Sequence, residues 1–161
     1  MGITVRKATE ADFSAIQQVA QIAWEETYKN IIPVSVQEHF LEKAYSIEQL
    51  HRKLDMTAFF VGEIENKVVA FANLHQSKKE NDLSAIYVHP EFQSKGLGNA
   101  LLKKIMNELQ RGDELVVYLE KGNHQAESFY AKYGFTFIEE FNEVILNHTF
   151  QTLKMSVVIE G

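Results

Sequence analysis

Cysteine is absent from this chain of 161 residues. That excludes disulfides, thiolate metal sites and a cysteine nucleophile together. It agrees with a reducing cytosol without deciding the compartment. Proline occurs only as Pro33 and Pro90, and each reads as a break in what precedes it. No apolar stretch approaches the length needed to span a bilayer. Met1 to Lys7 holds no apolar core of signal-peptide length. The expectation is a cytoplasmic protein with no membrane partner. An excess of positive charge is also missing. The formal net charge of -6 argues against a nucleic-acid partner, whose phosphates demand a basic surface, and it tolerates a cationic small substrate. The histidines show neither HxxxH nor HxH spacing, so a metal site is not expected. No GxSxG elbow occurs, which leaves a serine hydrolase without support.

What remains is an ordinary globular composition, 45% hydrophobic and 24% charged. The length suits one domain, residues 1–161, with a core that needs no staples. Ile3 to Lys7 alternates apolar and polar and reads as a strand. Thr9-Glu10-Ala11-Asp12 resembles a capping sequence in which the Thr9 hydroxyl accepts orphan amides. Phe13, Ile16, Ala20 and Ala23 then recur at helical spacing through about Trp24. Val36, Phe40 and Ala44 suggest a second helix, and Ser46 to Gln49 caps a short one through Leu54. Phe59 to Glu65 and Val68 to His75 read as a hairpin around Asn66-Lys67. Gln76 to Asp82 is a polar loop, Leu83 to Val88 a strand ended by His89-Pro90.

Leu97, Leu101, Leu102, Ile105, Met106 and Leu109 mark an amphipathic helix, with Gly112 just past its end. Leu115 to Leu119 is continuously apolar, as a strand buried on both faces should be. Ala126, Phe129, Tyr130 and Tyr133 form a last helix stopped by Gly134. Phe135 to Phe141 and Phe150 to Ile159 are the final strands. The order β, α, α, β, β, β, α, β, α, β, β predicts an α/β sandwich. Its mixed, mostly antiparallel sheet of about seven strands has helices on both faces and a parallel pair at the centre.

Two segments carry chemistry. Gln93-Ser94-Lys95-Gly96-Leu97-Gly98 follows a strand and opens a helix. A helix N-terminus offers unpaired amides and partial positive charge. The glycine pair Gly96 and Gly98 lets backbone approach an anion closely and allows positive φ, and Lys95 adds a full charge. In chemical terms this is a pyrophosphate site; a ligand-free helix cap is the plainer reading. A P-loop would need GxxxxGK followed by Ser or Thr, and a dinucleotide fingerprint would need glycine where Leu101 stands. The second segment runs from Asn123 through Ala126, Phe129 and Tyr130 to Gly134-Phe135. Asn123 fits a helix cap. Tyr130 fits either a core tyrosine or a proton donor, since a phenol of pKa about 10 can donate at neutral pH. Lys132 reads as a solvated helix charge or as a phosphate contact.

In this order and spacing the two segments resemble the GNAT superfamily, the acetyl-CoA-dependent N-acetyltransferases. Gln93-x-x-Gly96-x-Gly98 matches that superfamily's [Gln/Arg]-x-x-Gly-x-[Gly/Ala] motif. The resemblance implies that acetyl-CoA is the cosubstrate. It implies that amides of Gln93, Ser94, Lys95, Gly96, Leu97, Gly98 and Asn99 grip the pyrophosphate. It has backbone of Ile86, Tyr87 and Val88 pairing with the pantetheine arm, and Asn123 and Phe129 beside that arm. Tyr130 becomes the acid for the thiolate leaving group, and the amine attacks directly in a ternary complex. Trp24-x-x-x-Tyr28…Pro33 is similar to the acceptor wall of small-molecule members. Trp24 and Tyr28, four apart on one helix face, would stack on a substrate or bury against the sheet. A polyamine-like primary amine suits the acidic balance and Glu25/Glu26. The resemblance also leaves room for a homodimer through the final strands.

One departure concerns the base. Many relatives carry an acid on the strand before the phosphate turn, yet Leu83-Ser84-Ala85-Ile86 has none. Asp82, Glu120, His75 and His89 stand as alternatives. The missing carboxylate also keeps a rival function open: a non-catalytic acyl-CoA-binding sensor.

Overall fold

The computed structural model describes residues 2–145 and 147–160. Its strands are β1 (Ile3–Lys7), β2 (Ala58–Ile64), β3 (Lys67–Gln76), β4 (Asn81–Val88), β5 (Glu114–Glu120), β6 (Thr136–Ile145) and β7 (His148–Val158). Its helices are α1 (Phe13–Thr27), α2 (Val34–Ala44), α3 (Ile47–Met56), α4 (Leu97–Met106) and α5 (His124–Lys132). They form the α/β sandwich expected from the sequence. The sheet is seven-stranded in the order β1-β2-β3-β4-β5-β7-β6. All neighbours are antiparallel except β4 and β5. Three helices, not two, separate β1 from β2.

Several local readings shift. Thr9 precedes a 3-10 turn, Glu10–Asp12, and α1 begins only at Phe13. Thr9 and Asp12 form a capping box, in which the carboxylate of Asp12 accepts from the Thr9 amide at 2.8 Å. Arg6 grips the same carboxylate through both terminal nitrogens, at 2.8 and 2.9 Å, which holds the Asp12 carboxyl below its ordinary range. Ser46 caps α3 as expected, accepting from the Gln49 amide at 3.2 Å. The β2–β3 turn is Glu65-Asn66 rather than Asn66-Lys67, with φ of 52° and 66°, and Ile64 pairs with Lys67. Two successive positive φ values are what a right-twisted two-residue hairpin requires. Gly112 is not the cap of α4, which stops at Met106. Its amide instead donates to the Ile159 carbonyl at 2.8 Å.

The sheet has two unequally covered faces. On one face α4 and α5 bury Leu101, Ile105, Tyr130 and Phe135 against Phe60, Leu74, Leu115 and Val117. On the other, α1 and its neighbours bury Ile16, Val19 and Leu50 against Phe59, Val61 and Phe71. Each large side chain so buried stabilises the fold by about 1.5–3 kcal/mol. The second helical layer packs mainly on β2, β3 and β4, and its cover does not extend to the later part of β5, although Val116 on the same face is buried. That is why Tyr118, expected inside, is 36% exposed. Gly62 lets α4 settle close to β2: a Cβ there would lie 2.9 Å from Leu97 Cδ2.

Two features of the sheet make a site. Asn73 pairs with Ala85 and Leu74 with Leu83, so Ser84 is an extra, bulged residue in β4. The bulge switches the alternation. Leu83 packs with the α4 and α5 layer, Ala85 with the α1 layer. Strand β5 then pairs with β4 only at Asn81↔Leu115 and Asp82↔Val116. Beyond those residues the parallel pair separates, and β7 satisfies the other edge of β5 along its whole length.

Candidate active site

The separation of β4 from β5 opens a cleft of about 470 Å³ through the middle of the sheet. One wall is Leu83 to Val88, and the other is Val117, Tyr118 and Leu119. The N-terminal turn of α4 and one side of α5 close one end, and Ala23, Thr27 and Tyr28 of α1 border the opposite end. Its ionisable lining is Tyr28, Tyr87, Tyr118, Tyr130, Tyr133 and Lys132; no carboxylate or imidazole among the described residues lines it.

At the α4 end the backbone is arranged around an anion-sized hollow. Ser94 has φ 63° and Gly96 φ 94°. Alternating left-handed residues turn successive N–H groups toward one point. The amides of Ser94 through Asn99 have no backbone acceptor among the described residues, and the first helical bond is Ala100 N–H to Gly96 O at 3.0 Å. The Gln93 amide is the exception, donating to Pro90 O at 3.4 Å. Gln93, Ser94, Gly96, Leu97, Gly98 and Asn99 all border the cleft, whereas exposed Lys95 does not. Gly98 also has a packing role. A Cβ on it would lie 3.2 Å from the Phe129 ring, so its bareness lets α5 close on α4.

Asn123 caps α5, accepting from the Ala126 amide at 3.1 Å, and also borders the cleft. Phe129 lines it and stands edge-on to Tyr130 at 5.4 Å. Tyr130 is 6% exposed, and its side chain makes no hydrogen bond among the described residues. Burial, then the nearby Tyr87 and Asp82, push its phenol well above the ordinary value. Ile86, Tyr87 and Val88 face the gap where β4 has no β5 partner. An extended ligand could add to that edge as a strand does.

The α1 side divides the expected pair. Tyr28 borders the cleft, whereas Trp24 is packed behind it, 4.6 Å from both the Tyr28 and Phe40 rings. Phe150 of β7 completes that cluster with Ile32. Gln37, buried, holds the turn after α1 by donating to Ile32 O at 2.9 Å and Tyr28 O at 3.3 Å. Glu25 and Glu26 lie on the solvent face of α1, away from the cleft.

None of the four candidate bases borders the cleft. His75 is exposed, and His89 Nδ1 accepts from the Glu91 amide at 3.1 Å. Asp82 lies one step back. Ser84, lifted into the cleft wall by the bulge, donates to Asp82 Oδ2 at 3.3 Å. Burial raises the Asp82 carboxyl, partly offset by that hydrogen bond. Glu120 follows Leu119 at the α1 end; burial and then Glu143 raise it, against a hydrogen bond from the Gln151 backbone. Sequence reasoning missed Ser84, Tyr118 and the side chain of Tyr87 as lining groups. The bulge and the separation of β4 from β5 bring them in, and neither feature has a local sequence signature.

Comparison with known proteins settles the class. Residues 55–137 match the acetyltransferase (GNAT) domain, and the chain belongs to that family. It is an N-acetyltransferase by class. It is 28% identical over 145 residues to the spermidine N(1)-acetyltransferase of Thermoplasma acidophilum, across 84% of this chain and 89% of that one. It is 32% identical over 108 residues to an uncharacterized N-acetyltransferase of Bacillus subtilis, covering 63% of this chain and 61% of the other. The fold is similar to that of the PaiA N-acetyltransferase of Thermoplasma acidophilum in complex with coenzyme A. The TM-score is 0.82 and the identity 24%, over 98% of this chain and 99% of that one. No described helix is long and apolar enough to cross a membrane.

Proposed function

We propose that this protein moves an acetyl group from acetyl-CoA to a primary amine of a small cationic molecule of polyamine type, by direct attack in a ternary complex. One observation carries the reading: a single cleft joins a cradle of unpaired amides at α4 to the unpartnered hydroxyl of Tyr130, the tip of an otherwise buried side chain. The cradle suits a pyrophosphate. The open edge of β4 suits an extended amide-bearing arm. Bound there, acetyl-CoA supplies an activated thioester carbonyl.

The residues then divide the proton work. The attacking amine forms the new C–N bond and must shed a proton, and Ser84 with Asp82 behind it offers a route. The C–S bond breaks toward Tyr130, whose O–H meets the charge growing on sulfur. Burial raises that phenol, but the same dry site disfavours a free thiolate, so the donor stays matched to its acceptor. A cationic acceptor is supported by Glu120 and Glu143. They share one sheet face on either side of β7, and neither is ion-paired among the described residues. It is also supported by the spermidine-acetylating relative.

The test follows free thiol released from acetyl-CoA across polyamines, amino acids, aminoglycosides and short peptides. The expected result is release dependent on polyamine-like amines. No release with any amine, in a protein that binds acetyl-CoA by calorimetry, removes the catalytic reading. Release with peptides alone removes the proposed acceptor.

A further inference from the structure

Tyr118 borders the cleft, and the reaction above gives it no work. Its hydroxyl donates to Glu80 Oε1 at 2.7 Å. Glu80 lies in the turn just before β4, and its other oxygen is 3.6 Å from Lys154 Nζ of β7, the residue opposite Tyr118 in register. Phe141 of β6 stands edge-on to the Tyr118 ring at 6.1 Å. A phenol, a carboxylate and an ammonium from three parts of the chain form one clasp.

Register shows what lies beneath it. Leu83, Leu115 and Val117 belong to the α4 and α5 layer, and side chains alternate between faces along a strand. Asp82, Val116 and Tyr118 therefore share the opposite face. Asp82 pairs with Val116 across the parallel strands. Tyr118 is two residues past Val116, and Glu80 two residues before Asp82. A bridge from Tyr118 to Glu80 must run back along the sheet and cross the level of Asp82 and Val116. The helical layer on this face stops short of the later part of β5, yet Val116 is buried and Asp82 half-buried, while His75, opposite Asp82 on β3, is exposed. The crossing ring accounts for that cover. At the cleft side of the same row, Ser84 donates to Asp82 Oδ2 at 3.3 Å.

We propose that Tyr118 is a positioning residue for the proton route: pinned by Glu80, its ring roofs Asp82 and keeps bulk water from the Asp82–Ser84 pair. The inference rests on that route in the proposed reaction and names the part that tunes it. A carboxylate denied water is a stronger base, because its charged form loses solvation. The direction agrees: burial first, and Glu80 also, raise the Asp82 carboxyl, against the Ser84 hydrogen bond and His75. The ionisable groups around Asp82 are His75 of β3, Glu80 of the turn, Tyr118 of β5, Lys154 of β7 beyond it and, through the split, Tyr130 of α5. The one ammonium among them is paired with Glu80.

The test titrates Asp82 directly. Protein carrying carbon-13 in its aspartate carboxyls is followed by NMR as pH falls, and Asp82→Asn identifies the Asp82 signal by its loss. Tyr118→Ala removes the roof. Tyr118→Phe keeps the ring and removes only the pin, so it still reports where the alanine variant fails to fold. The expected result is an Asp82 midpoint that moves down toward the ordinary carboxylate range in Tyr118→Ala, and by less in Tyr118→Phe. With a polyamine as acceptor, the acid limb of kcat/KM should move to lower pH by the same interval in each variant. An Asp82 midpoint unchanged in the folded variants overturns the proposal and leaves the acetyl-transfer reading standing. A midpoint that falls while the acid limb stays in place overturns it together with the route through Asp82. No thiol release from the parent with any amine overturns the reaction, and this role with it, whatever the midpoint does.

Discussion

The two ends of the cleft are made of different material. At the α4 end the working groups are main-chain amides, Ser94 to Asn99, exposed by left-handed residues and a helix start. At the α1 end they are side chains: Tyr28, Tyr87 and, beyond the lining, Glu120. A backbone cradle accepts one chemistry wherever it occurs, because every residue carries the same N–H. A side-chain wall changes with each substitution. In the proposed reaction, then, the α4 end defines a class of protein and the α1 end decides which amine a member takes. This is the physical form of the rule that function lives in sites grafted on folds.

The hardest blow to the comparison comes from Gly98. Gly98→Glu places bulk where a Cβ already meets Phe129 at 3.2 Å, and sets a negative charge beside the amide cradle. Acetyl-CoA affinity should fall by more than about 100-fold, the loss of several charge-assisted hydrogen bonds. Calorimetry on folded variant protein checks it, and retained affinity would reduce the turn to a plain helix cap. Tyr130→Phe should separate the two ends more finely. It removes a hydroxyl without partners and keeps the edge-on packing with Phe129 and Phe135. Acetyl-CoA affinity should stay within a few fold, while kcat falls at least about tenfold, the lower range for a lost general acid. An unchanged kcat would remove Tyr130 from the chemistry.

The same contrast explains what could be read in advance. The cradle was legible because positive φ needs glycine at Gly96, and because Leu97, Leu101 and Ile105 announce the helix that follows. The fold was legible because hydrophobic period distinguishes β5 from α4 and α5. The acceptor end was obscure for three reasons. Ser84 enters the wall through a bulge that alternation alone does not reveal. Glu25 and Glu26 look acidic and nearby but ride the outer face of α1. Glu120 and Glu143 come onto one sheet face, on either side of β7, only through the strand order; Glu120 pairs with Thr152 and Glu143 with Phe150. That is a long-range pairing, and neither glutamate carries a local signal of it.

Glu120 gives the smallest and most pointed test. It is half-buried beside Leu119, which lines the cleft, and its charge is felt by the Tyr28 phenol. Burial and Glu143 both disfavour the charged form of Glu120, and a cation beside it would offset them. The distal ammonium of a diamine would do so; a monoamine has none. Glu120→Gln should therefore raise KM for a diamine by about threefold, the modest scale of a partly solvated ion pair. KM for a matched monoamine and affinity for acetyl-CoA should not move. The pH dependence carries the sign. Burial and Glu143 raise the Glu120 carboxyl, so its charge is present above that raised value and is lost as pH falls through it. In the parent, KM for the diamine should climb on that descent at a pH above the usual carboxylate range, and the climb should vanish in Glu120→Gln. The same diamine-to-monoamine ratio in both proteins at every pH would mean that the acceptor end reads one amine at a time, by shape rather than by charge.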